Sequence, residues 1–312
     1  MSVLPKDDQT LCQASGLISH AGRSADQLVV KTFFHVPTCT ATHVVHDAQT
    51  RTAAIIDPVL DFDAAVGRTG CDSADLVVAW VEERGLSVEW LLETHAHADH
   101  LSAAPYLRDR LGGRVAIGRG ITDVQAVFGA LFNENGSFRC DGSQFDRLFD
   151  DGDRFAIGSI EAIALHVPGH TPADVAYVIG DAVFCGDTLF MPDSGTARAD
   201  FPGGDARQLY RSIRRLLALP STARLFLCHD YKTSVRDHFA WETTVGSQRD
   251  ANIHVRDGIS EDGFVSLRRT RDASLAVPTL MLPSIQVNMR GGVLPPPEAN
   301  GTRYLKIPLN AL

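Results

Sequence analysis

Between Val88 and Leu111 the chain passes from an apolar strand pattern, through Thr94-His95-Ala96-His97-Ala98-Asp99-His100, into an amphipathic helical pattern. That cluster restricts the fold more than any other feature. Four metal-capable side chains within six positions are useful only where rigid elements on both sides hold them in one cleft. His95 and His97, two apart in an extended loop, can turn both imidazoles to the same side. Asp99 and His100, expected at the start of the following helix, add a carboxylate and a third imidazole, and Asp99 could also cap that helix. A lone histidine is ordinarily a packed or surface residue, but four such groups in this order point to a bound metal.

The flanking pattern alternates strand and helix. Residues 28–34, 40–46 and 52–58 read as a hairpin or meander ended by Asp57-Pro58. Leu76, Val77, Trp80 and Val81 recur at helical spacing over 73–84, Gly85 sits at a C-cap, and 88–92 reads as a buried strand. Residues 101–111 predict a helix closed by Gly112-Gly113, and 115–117 a short strand. Residues 118–150 give no clear assignment. Short strands at 155–157, 160–166, 175–179 and 182–185, a helix over 206–217 and a strand at 224–228 complete a plan of two sheets with helices outside. Residues 1–28 read as a polar lead-in, 29–240 as the domain that carries the histidine cluster and 241–312 as a C-terminal extension packed on it. The run from Leu282-Pro283 through Gly291-Gly292 to Pro295-Pro296-Pro297 predicts an extended wrap over the surface.

With 312 residues, 44% of them apolar, the chain can bury a full core. Its net charge of −9 argues against a binder of nucleic-acid backbones. Only Lys6, Lys31, Lys232 and Lys306 are lysines among 29 basic residues, so nearly every fixed positive charge is a guanidinium suited to carboxylates. Six cysteines without a CxxC pair predict reduced thiols and a cytoplasmic setting. The opening MSVLPKDDQT lacks a secretory apolar core, and no apolar run approaches a membrane span. A symmetric homodimer is the default expectation for a chain of this size.

Three more candidates fall at strand ends: His170 in Pro168-Gly169-His170-Thr171, Asp187 in Gly186-Asp187-Thr188, and His229 in Cys228-His229-Asp230-Tyr231. The order HxHxDH, PGHT, GD and a final His resembles the metallo-beta-lactamase superfamily. That resemblance implies an α/β fold, a four-layer αββα sandwich of two mixed sheets flanked by helices. It matches His95, His97 and His170 to a first metal site, Asp99, His100 and His229 to a second, and Asp187 to the bridging carboxylate.

Within the superfamily, Pro168-Gly169-His170-Thr171, Gly195-Thr196-Ala197-Arg198-Ala199-Asp200-Phe201 and His229-Asp230-Tyr231-Lys232 look similar to persulfide dioxygenases, and the tail resembles their bacterial beta-lactamase-like hydrolase branch. The resemblance implies one Fe(II) per chain on His95, His170 and Asp187, with His97, Asp99, His100 and His229 holding ligands and waters around it. It implies glutathione persulfide and O2 as substrates, in sulfide detoxification, with Thr171, Arg198, Tyr231 and Arg249 at substrate-contacting positions. The alternative is a di-zinc hydroxyacylglutathione hydrolase-like thioesterase, in which all seven ligands hold zinc. Close hydrolase relatives usually carry Glu where Asp230 stands. Cys185 and Cys228, beside two candidate ligands, read first as small buried hydrophobes.

Overall fold

The computed structural model describes residues 8–21, 27–134, 136 and 138–311. Two six-stranded sheets pack face to face. The first runs in the order Leu28–His35, Thr40–Asp47, Thr52–Ile56, Ser87–Leu92, Arg114–Gly118, Arg147–Phe149. The second runs Arg154–Ile157, Ile160–His166, Val175–Ile179, Ala182–Phe184, Arg224–Phe226, Glu242–Thr244. A small sheet of Arg68–Gly70, Val59–Asp63 and Leu101–Ser102 lies beside them.

Alternation along each strand builds the layers, because successive side chains point to opposite faces. Val45, Ile56, Trp90 and Leu92 face inward and meet Ile157, Tyr177, Phe184 and Phe226 of the opposite sheet. Their neighbours Val44, Ile55 and Leu91 face outward and are covered by the helices Asp72–Glu83, Ala104–Leu111 and Ile121–Leu131. On the far side Ile163, Leu165, Val178 and Leu225 meet the helices Gln9–Ala21, Ala206–Leu216 and Glu261–Asp272. The result is the expected four-layer αββα sandwich. No helix among the described residues is long and apolar enough to cross a membrane.

Three expectations change. The lead-in holds the helix Gln9–Ala21, whose Leu11, Ala14 and Ile18 are buried on the second sheet, while 1–7 and 22–26 lie outside the described residues. Spacing of i, i+3 and i+7 in a short polar stretch gave too weak a signal for it. Residues 121–131, unassigned from sequence, are a helix. The tail is not extended from its start: Met281–Asn288 is a helix with Ser284, Ile285, Gln286, Val287 and Asn288 buried, and only the chain after it runs without helix or strand among the described residues. Pro283 stands in its first turn, where the missing N–H has no partner to lose, and Gly291 and Gly292, at φ 64° and 83°, turn the chain after it.

A candidate metal centre at one edge of the sandwich

Strand direction places the ligands. Thr52–Ile56, Ser87–Leu92 and Arg114–Gly118 run parallel, so Asp57 and the 93–100 loop leave the first sheet at one edge. In the second sheet Ile160–His166 and Arg224–Phe226 share the direction of Ala182–Phe184, so His170, Asp187 and His229 all follow C-terminal strand ends. Two glycines let these loops close on one another. Gly186, at φ 53°, would place a Cβ 2.5 Å from Thr94 Oγ1, and Gly169, at φ 144°, one 2.3 Å from the Leu209 backbone nitrogen.

His95 Nε2 and His170 Nε2 stand 3.8 and 3.6 Å from Asp187 Oδ2. Their other ring nitrogens fix the tautomers. Thr94 donates its hydroxyl to Asp57 at 2.8 Å, so at 3.0 Å its oxygen accepts from His95 Nδ1–H. His170 Nδ1–H donates to the Arg198 carbonyl at 2.8 Å. Both Nε2 lone pairs are thereby left for a cation. Burial and the neighbouring imidazoles hold His95 well below the usual histidine range, in the neutral form that ligation needs.

A second set adjoins the first through Asp187. His97 Nδ1, Asp99 Oδ2, His100 Nε2, Asp187 Oδ1 and His229 Nε2 are buried without hydrogen-bond partners among the described residues. His229 Nε2 lies 3.1 Å from Asp99 Oδ2 and 3.4 Å from Asp187 Oδ1, so Asp187 turns one oxygen to each set. Leaving such groups unsatisfied costs about 1–3 kcal/mol each, which a cation and its waters would relieve. The residues present therefore fit a metal. Burial holds His100 down at about 3, again neutral. His97 differs: burial would lower it, but Asp57 at 2.9 Å and Glu93 at 3.2 Å from its Nε2 hold it well above the usual range.

A cavity of about 530 Å³ reaches Asp99, His170 and Asp187. Arg198 and Tyr231 line it as well. Thr171 and Arg249 do not. The Thr171 hydroxyl is fully buried and donates to Asp174 at 2.6 Å, where burial has pushed the Asp174 carboxyl up to about 6. Arg249 lies outside the cavity, paired with Asp257 at 2.8 Å. Asp99 and His100 do not start a helix either. Leu101–Ser102 pairs as a strand, the helix begins at Ala104, and its cap residue Ala103 offers no side-chain bond.

Cys185 and Cys228 are both buried, and burial pushes their thiols up, that of Cys185 to about 12. Cys185 packs in the outer apolar cluster of the second sheet. Cys228 Sγ lies within 4.8 Å of ligand atoms of His97, His100 and His229.

Several residues that hold the centre gave no motif in the sequence. Asp57, the turn residue before Pro58, has a left-handed φ of 51° and accepts from Thr94 N, Thr94 Oγ1 and His97 Nε2 at 2.7–2.9 Å. Backbone strain at a buried carboxylate beside candidate ligands marks it as part of the centre. Tyr177, from the opposite sheet, donates to the Glu93 carbonyl at 2.9 Å. Asn288, on the C-terminal helix, donates to the carbonyls of His97 and His100, both at 2.8 Å, and accepts from Ser102 N at 2.9 Å. The Asp57-Pro58 junction was the one available signal, since the segment holding Asn288 reads in sequence as extended chain.

Residues 34–229 match the metallo-beta-lactamase superfamily. The chain is 55% identical to a probable metallo-hydrolase of Burkholderia pseudomallei, over 91% of this chain and 100% of that protein. It is 47% identical to glyoxylase B2 of Dictyostelium discoideum (91% and 97% covered) and 29% identical to the mitochondrial persulfide dioxygenase ETHE1 of Homo sapiens (89% and 94%). Among solved structures, ETHE1 from Myxococcus xanthus aligns with a TM-score of 0.67 at 28% identity, over 85% of this chain and 100% of that one. Two facing sheets, ligand loops at one shared edge and this match over most of the chain have one explanation: the protein belongs to the metallo-beta-lactamase superfamily.

Proposed function

We propose that the protein is a persulfide dioxygenase that converts glutathione persulfide, O2 and water to glutathione and sulfite at one Fe(II) held by His95, His170 and Asp187. The carrying observation is the division of the ligands. His95, His170 and Asp187 bring three ligand atoms within 4.8 Å of one another, and His170 and Asp187 line the cavity, whereas His97, His100 and His229 form a separate buried group that does not. Two imidazoles and one carboxylate on one face are a ligand set of non-haem iron oxygenases. Bound there, ferrous iron would supply open coordination positions and the electron transfer that dioxygen activation requires. Thr94 and the Arg198 carbonyl fix the two imidazoles, Asp57 and Glu93 engage Nε2 of His97, and Tyr231 walls the substrate space. The relation to ETHE1 proteins supports this reading.

A second reading has its own observation. Asp187 turns an oxygen toward each set, the posture of a carboxylate that bridges two metals, and a relative carries the name glyoxylase B2. In that case zinc on all seven residues would support thioester hydrolysis. Oxygen uptake by iron-loaded protein on addition of glutathione persulfide, with sulfite measured in the same sample, separates them. The proposal expects one O2 consumed per sulfite formed. No uptake with iron, together with hydrolysis of an acylglutathione once zinc is supplied, would transfer the assignment to the thioesterase.

A further inference from the structure

Four basic side chains line the cavity, and they are not equivalent. Arg268 is buried and spent: it donates to the carbonyls of Thr196 and Ala197 and pairs with Asp272 at 2.8 Å. Arg198 is held by both oxygens of Asp200 and by the Ala276 carbonyl at 2.7 Å. Arg271 and Lys232 are exposed and make no ion pair or side-chain hydrogen bond among the described residues, although Lys232 Nζ stands 4.5 Å over the Phe239 ring. The lining carboxylates are already engaged, Asp99 and Asp187 in the metal centre and Asp193 with Arg236 at 3.0 Å. The unpaired charge of this cavity is therefore positive, in a chain whose net charge is −9.

The two cations come from separate walls. Arg271 belongs to the helix Glu261–Asp272 of the C-terminal extension, with apolar Leu275 and Pro278 beyond it. Lys232 belongs to the loop that follows His229 and has a left-handed φ of 59°, a strained backbone for a lysine. We infer that Arg271 and Lys232 are the specificity residues of the cavity and hold the carboxylates of a small anionic thiol while its sulfur faces His170 and Asp187. A guanidinium grips a carboxylate through two parallel bonds, and an ammonium adds a point charge. This inference rests on the dioxygenase reading for the sulfur chemistry, but not for the recognition itself.

The test is calorimetric titration of metal-loaded protein with glutathione and with its diethyl ester, which lacks both carboxylates. Exposed charge pairs contribute modestly, so each of Arg271→Ala and Lys232→Ala should weaken glutathione binding roughly threefold to fivefold, and Arg271→Glu more. The ester should bind more weakly than glutathione to the unaltered protein and respond little to any of these changes. Equal affinity for glutathione and ester, or a loss that follows Arg249→Ala and not Arg271→Ala, would overturn the inference. Oxygen uptake read in parallel keeps the two readings apart. Arg271-dependent binding without uptake would remove the reaction and keep the recognition. Uptake at an unchanged KM in an Arg271→Ala, Lys232→Ala double variant would do the reverse.

Discussion

Replacing Asn288 by alanine should disturb the metal centre from a helix far along the chain. The side chain makes three bonds of 2.8, 2.8 and 2.9 Å to the backbone of the loop carrying His97, Asp99 and His100, and it is 5% exposed. Its removal strands two carbonyls and one N–H, each costing about 1–3 kcal/mol, and better helix propensity returns only about 0.5 kcal/mol. Water entering the gap places the net loss toward the low end, about 3 kcal/mol. With an unfolding entropy near 2.1 cal/mol/K per residue, a chain of this length should lose about 5 °C in Tm. Asn288→Asp should be worse, because a carboxylate would face the two carbonyls that the amide now serves. Urea unfolding of metal-free protein gives the stability term, and competition with a chelator gives the metal affinity, expected to fall at least about tenfold as the loop loosens. A change below about 1 kcal/mol in Asn288→Ala, with chelator competition unaltered, would refute the view that this helix holds the ligand loop.

The ligand division predicts unequal substitutions. His95→Ala, His170→Ala and Asp187→Ala should abolish iron binding, whereas His97→Ala should retain metal by elemental analysis and lose less activity than His95→Ala. Acid should destabilise the fold through two buried histidines, His43 and His254, each lowered to about 4 by burial. Because both stay neutral in the fold while the unfolded chain takes up protons below about pH 6.5, stability is full above that value. It should decline toward pH 4, by at most about 3 kcal/mol per group, and His43→Gln should flatten that part of an unfolding-versus-pH curve. Thiol labelling of native protein should modify exposed Cys12 and Cys140 and spare Cys185 and Cys228 until denaturant is added. Rapid labelling of Cys228 in the native state would show that the centre opens far more than its packing suggests.

Local pattern carried much of this molecule. The short apolar runs at 52–56 and 88–92, the helix over 73–84 with Gly85 behind it, and the seven candidate ligands were all legible, since each depends on spacing within a few residues. Tertiary structure decided what spacing cannot express. Asp57, at φ 51°, reads in sequence as a turn before proline, and only folding shows it accepting from Thr94 and His97. The helix Met281–Asn288 hides behind a Pro- and Gly-rich composition, because its partners lie about 190 residues earlier in the chain. Arg198, Arg249, Arg268 and Arg271 are the same residue in sequence. Which of them is spent on a carboxylate or carbonyl, and which is left facing the cavity, depends on long-range contacts, because a guanidinium's availability is set by its neighbours and not by its type.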